Sequence, residues 1–217
     1  EAALARAIKA GKLAGAGLYK LLVPKTYNGH EVHPCTFLNV VEQVAQADGS
    51  VAWCLNICNT SGLIAAYLPP QYAQEIYGPD DAITGGVFAP MGKAVSDGEH
   101  YTVNGTWNWG SGTSNCSWIM AGCMIIGDDG KPQMMEQGGP LSRMMLLPRD
   151  EVEIADTWHV TGLAGTGSNE FTITNKQVPL DRSIALATDK PLRDAPLYAF
   201  PSFGLLAIGI AAVAVGI

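Results

Sequence analysis

Up to about residue 80 the apolar residues of this chain recur at helical spacing, and from Ala82 to about Pro179 they recur at every second position. A chain that changes period once has to build two kinds of layer, helices first and strands after. In the first part, Ala2 to Gly15 is rich in Ala, Lys and Leu, with Gly15 and Gly17 as stop signals. A loop holding Pro24 and the Asn28-Gly29 turn follows. A second helix is predicted from about Pro34 to Ala47, with Leu38, Val41, Val44 and Ala45 on one face. Asp48-Gly49-Ser50 breaks it, and Asp48 or Ser50 can cap the next helix. That third helix, Val51 to Leu68, is small and apolar all round, which predicts burial. Pro69-Pro70 restarts a short helix that closes near Gly78.

The period-two part contains strands at 101–111, 118–126, 144–147, 152–154 and 171–178, with a hairpin-like turn at 127–130. It predicts an all-β module of about 100 residues, a sandwich or a barrel. One stretch stands out: GTWNWGSGT, Gly105 to Thr113, sets two tryptophans, three glycines and a serine side by side. Counting from Tyr101, alternation puts Trp107, Trp109 and Ser111 on one face, with Thr102, Asn104, Thr106 and Asn108 on the other. Either the indoles fill a β-core and Ser111 opens a turn, or an indole and a hydroxyl flank a flat heteroaromatic ligand. Spacing leaves both readings open.

With 47% apolar and 15% charged residues the chain is globular rather than disordered. Its net charge of −7 and lack of any Lys/Arg run argue against nucleic acid or an anionic membrane as a partner. Five cysteines, an odd number with no CxxC pair, suggest reduced thiols in a cytoplasmic protein. Cys54 and Cys58, one helical turn apart, read as small core residues. His30, His33 and Cys35 match no structural zinc spacing, so no metal is expected there. The glycine-rich run Gly162 to Ser168 is no dinucleotide fingerprint and reads as a flexible inter-strand loop. Gly110-Ser111-Gly112 is no hydrolase nucleophile elbow. Phe203 to Ile217 runs for fifteen residues without a polar side chain, which is short for a membrane span and reads as a core helix opening a further domain. The expected organisation is a helical domain over 1–81, a β domain over 82–188 and the start of a further helical domain over 189–217.

Several motifs in this order resemble the acyl-CoA dehydrogenase superfamily, and within it the branch of two-component flavin-dependent monooxygenases. They are Asp48-Gly49-Ser50-Val51-Ala52-Trp53, then Gly105 to Gly112 followed by Trp118. Trp158 to Gly162 with Gly165-Thr166-Gly167-Ser168 comes next, then Val178-Pro179 and the Pro196 to Pro201 segment. The resemblance implies an α+β multidomain fold with an N-terminal all-α domain, a middle β-sandwich or barrel and the start of a C-terminal helical bundle. It implies reduced FMN or FAD as cofactor, a flavin reductase as partner, a small aromatic or related substrate, and a homotetramer. Trp109 and Phe88 would pack against the flavin, Gly112 would allow close approach, and Ser111 would hydrogen-bond near N5 and O4 as the catalytic hydroxyl. Trp53 would face the substrate side. Phe88 to Ala94 lacks the hydroxyls of the dehydrogenases' flavin loop, which favours oxygen chemistry over an FAD-dependent acyl-CoA dehydrogenase. The family's helical bundle would continue past Ile217, so the chain reads as truncated, and a non-catalytic remnant acting as an interaction module is the remaining alternative.

Overall fold

The computed structural model describes residues 10–217. Residues 2–9 of the expected first helix lie outside the described residues; 10–15 are helical (α1). The helix α2, Pro34–Ala47, starts where Pro34 sets the first helical φ and the His33 ring accepts from the Cys35 N–H. Asp48 closes α2 and caps α3, Gly49–Gly62, by accepting from the Ser50 and Val51 N–H groups. The expected third helix thus ends earlier as an α-helix and tightens into a 3-10 turn over Leu63–Ala66. A short α4, Pro70–Tyr77, follows. Near the end come a single turn, α5 (Pro196–Ala199), and α6 (Ser202–Gly216).

The strands are β1 Thr84–Ser96, β2 His100–Gly110, β3 Trp118–Ile126, β4 Ser142–Pro148, β5 Glu153–Ala155, β6 Asn169–Pro179 and β7 Ser183–Ile184. They form one hydrogen-bonded ladder in the order β5-β6-β2-β1-β3-β4-β7. Only β1 and β3 run parallel; every other pairing is antiparallel. Among the described residues the edge strands β5 and β7 do not pair with each other, but β4 and β6, four places apart in the ladder, come into contact, so the mixed sheet curls back on itself. The segment Phe88 to Ala94, read from sequence as a loop, belongs to β1. Pairing with β3 slips between Val87 and Gly92, where Pro90 has no N–H to give.

One hydrophobic core joins α2 and α3 to the sheet through Phe37, Val41, Leu55, Trp107, Ile119 and Phe171. The apolar α6 buries only Leu205, Gly209 and Val213, against α2 and α3. Phe203, Ile208, Val215 and Ile217 stay exposed, so this helix is half-covered rather than wholly interior. No helix among the described residues is long and apolar enough to cross a membrane.

Candidate functional site

Trp107 takes the first of the two readings that spacing left open, a place in the core. It is fully buried and stacked on Phe171 with centroids 5.2 Å apart, and its Nε1 donates to the Gly122 carbonyl at 2.7 Å. A Cβ on Gly92 or Gly105 would collide with that indole, so both positions have to be bare. Two residues later the pattern fails. Pairing of β2 with β6 slips between Trp107 and Gly110, and Trp109 adopts φ +65°. A bulge re-aims side chains, and here it turns Trp109 to the opposite side, 70% exposed. Trp107 and Trp109 therefore do not share a face, against expectation. The left-handed backbone at a residue as bulky as tryptophan costs about 1–2 kcal/mol, and strain of this kind gathers at functional sites.

The exposed indole borders a cleft of about 370 Å³ between α3, the start of β1, the end of β2 and the segment 158–168. Trp53, Phe88, Trp109 and Ser111, all singled out from sequence, line it. Gly112 does not; it sits behind the wall at φ +73°, its N–H donating to the Thr166 carbonyl at 2.9 Å. Trp158, Thr166, Ser168 and Asn108 also line the cleft, beside aliphatic residues and Gly86. Sequence reasoning gave these four no role, although Trp158, Thr166 and Ser168 stood in a quoted motif. The glycine-rich run expected to be a flexible loop is tied down at several points. Trp158 Nε1 donates to the Leu163 carbonyl at 3.1 Å, and Asn169 Oδ1 accepts from the Thr157 and Trp158 N–H groups.

A row of hydroxyls forms one wall. Trp53 Nε1 donates to Ser111 Oγ at 3.0 Å, Ser111 Oγ lies 2.7 Å from Ser168 Oγ, and Ser168 Oγ lies 2.7 Å from Thr166 Oγ1. Thr166 donates on to the Leu163 carbonyl at 2.9 Å. Ser111, Ser168 and Thr166 are all buried. Among the described residues the lining contains no ionisable side chain. Such a cleft offers flat apolar area and a hydroxyl edge, which suits a planar heteroaromatic ring, and it offers no acid, base or phosphate anchor.

Behind Gly112 lie Cys54 and Cys58, with Cys58 and Cys116 both beside Gly85. Donation of the Cys58 S–H to Cys116, then burial, holds the Cys58 thiol well above its ordinary range. The larger groove of about 710 Å³ between α1, α2 and α3 is lined mainly by aliphatic side chains and carries no comparable polar array. Among the described residues no three His, Cys, Asp or Glu side chains gather in one place.

No family model matches the chain. Individual relatives do. The chain is 33% identical over 198 residues to the flavin-dependent monooxygenase oxygenase subunit HsaA of Rhodococcus jostii, covering 87% of this chain and 50% of that protein. It is 32% identical to indole-3-acetate monooxygenase of Pseudomonas putida, covering 93% of this chain and 49% of that protein. Among solved structures it superposes on the 3-HSA hydroxylase from Rhodococcus sp. RHA1 with a TM-score of 0.84 at 30% identity, over 92% of this chain and 52% of that one. XiaF from Streptomyces sp., solved in complex with FADH2 and glycerol, gives a TM-score of 0.83 at 28% identity, over 94% of this chain and 52% of that one. The chain spans about half the length of the curated relatives it matches. By sequence and by fold it is similar to flavin-dependent monooxygenase oxygenase subunits over about half of their length.

Proposed function

We propose that this chain is the flavin-binding half of the oxygenase component of a two-component monooxygenase, acting on a small aromatic substrate. The carrying observation is Trp109, an indole turned out of the sheet on a left-handed backbone beside a buried row of hydroxyls. A fold tolerates such strain and exposure where a ligand supplies the missing contact. The residues fit a flavin ring: indoles at 53, 109 and 158 and the Phe88 ring are flat and apolar, and Ser111 gives a polar edge. The described lining is uncharged, and the phosphate would lie outside this cleft. When bound, reduced flavin supplies the oxygen-activating chemistry. Trp109 packs on the ring, Ser111 hydrogen-bonds its edge, and Trp53, Phe88 and Trp158 keep water out.

The names of the relatives support the substrate class: one is an indole-3-acetate monooxygenase, another an FADH2-dependent resorcinol hydroxylase oxygenase component. The latter, together with the FADH2 complex of XiaF, supports FAD over FMN. A separate flavin reductase, a cytoplasmic setting, a homotetramer and the three-domain division at 81 and 188 belong to the same reading.

Anaerobic titration with reduced FAD tests it. Saturable binding is expected, weakened on the order of tenfold or more in Trp109→Ala, since a large aromatic contact is worth 1.5–3 kcal/mol or so. Unaltered affinity in that variant would remove the support on which the reading stands.

A further inference from the structure

The hydroxyl row has fixed ends. The Trp53 indole N–H can only donate, and the Leu163 carbonyl can only accept. Between them stand three hydroxyls, each with one hydrogen. Thr166 Oγ1 lies 2.9 Å from the Leu163 oxygen, and two oxygens so close repel unless a hydrogen lies between them. The Thr166 hydrogen therefore points to Leu163. Thr166 must then accept from Ser168, and Ser168 from Ser111. Ser111 is left with no hydrogen to offer. It accepts from Trp53 and keeps one lone pair for the cleft it lines.

We propose that Ser168 and Thr166 are positioning residues that make Ser111 a hydrogen-bond acceptor only, so that the cleft prefers reduced over oxidised flavin. This rests on the flavin reading above. The reduced ring carries a hydrogen on N5, whereas the oxidised ring presents a lone pair there. An acceptor facing N5 bonds the first and repels the second. The three hydroxyl-bearing residues are each at most 5% exposed, so solvent does not readily rescue a misdirected hydrogen. The consequence suits a protein that receives its flavin from elsewhere: the reduced form is held, and the spent oxidised form is released.

The test is a pair of dissociation constants on the intact protein, for oxidised FAD and for dithionite-reduced FAD under anaerobic conditions. The expected preference for the reduced form is about tenfold, the worth of one hydrogen bond gained against one lone-pair clash. Ser168→Ala frees the Ser111 hydrogen to turn into the cleft, and Thr166→Val lets the row reverse. In both, the ratio falls towards one, chiefly because oxidised FAD binds more tightly. Ser168→Thr keeps a hydroxyl and restores the preference. A merely structural role would weaken both forms together and leave the ratio unmoved. Saturable binding with an unchanged ratio in both variants would overturn the polarity alone; no saturable binding of either form by the parent protein would overturn it together with the flavin reading.

Discussion

Trp107 and Trp109 stand two residues apart and do opposite jobs. The first is wholly buried on Phe171, and removing it in Trp107→Ala should cost about 3–5 kcal/mol in urea unfolding, as for other buried aromatics. The second is 70% exposed and strained, so Trp109→Ala should change stability by no more than about 1 kcal/mol while depriving the cleft of its flat wall. Alternation in the sequence put both indoles on one face, and the register slip before Gly110 separates them. A left-handed bulge residue usually announces itself as glycine, and here the position is held by tryptophan, which carries no local sign of the turn. The hydroxyl row was hidden for another reason. It joins residues 53, 111, 166 and 168, so its members come from three distant parts of the chain, and no spacing rule relates those parts.

At the level of elements, the helices were the more legible part. α2 runs over the expected Pro34–Ala47 because its start and stop are both local: proline and a capping ring at one end, Asp48 at the other. β1 was hidden because Pro90, Gly85, Gly86 and Gly92 argue against a strand, and the slip in its register lies where that proline stands. The contact between α3 and α6 shows what packing adds. Asn56 is fully buried with neither side-chain polar atom partnered among the described residues, and Gly209 lies so close that a Cβ there would strike the amide. A buried amide without partners costs about 1–3 kcal/mol. Asn56→Leu should accordingly raise the urea midpoint, whereas Gly209→Ala should lower it by forcing the helices apart. A fall in Asn56→Leu would mean that the amide has a partner in the assembled protein.

Over the whole molecule, the sheet and the helices share a core that closes around thiols and phenols as well as aliphatic side chains. Burial pushes the Cys123 thiol up to about 12 from an ordinary value of 9.0, and it raises the Tyr77 phenol as well. The sign of the effect on stability follows from which state holds its proton longer. Below pH 9 the thiol is protonated in both states and its burial stabilises the fold in full. Between pH 9 and about 12 the unfolded chain loses the proton while the folded one keeps it, so stability falls as pH rises through that window. The net charge of −7 adds repulsion in the same direction, and a variant is needed to separate the two. Cys123→Ala removes the titrating group and leaves the remaining charge almost untouched. Urea midpoints measured at pH values of about 7, 9 and 11 should drop steeply above 9 in the parent and less steeply in the variant. Parallel curves would mean that solvent reaches this thiol, and with it the back of the Trp107 pocket, because Cys123 Sγ and the indole both press on the same bare Gly92.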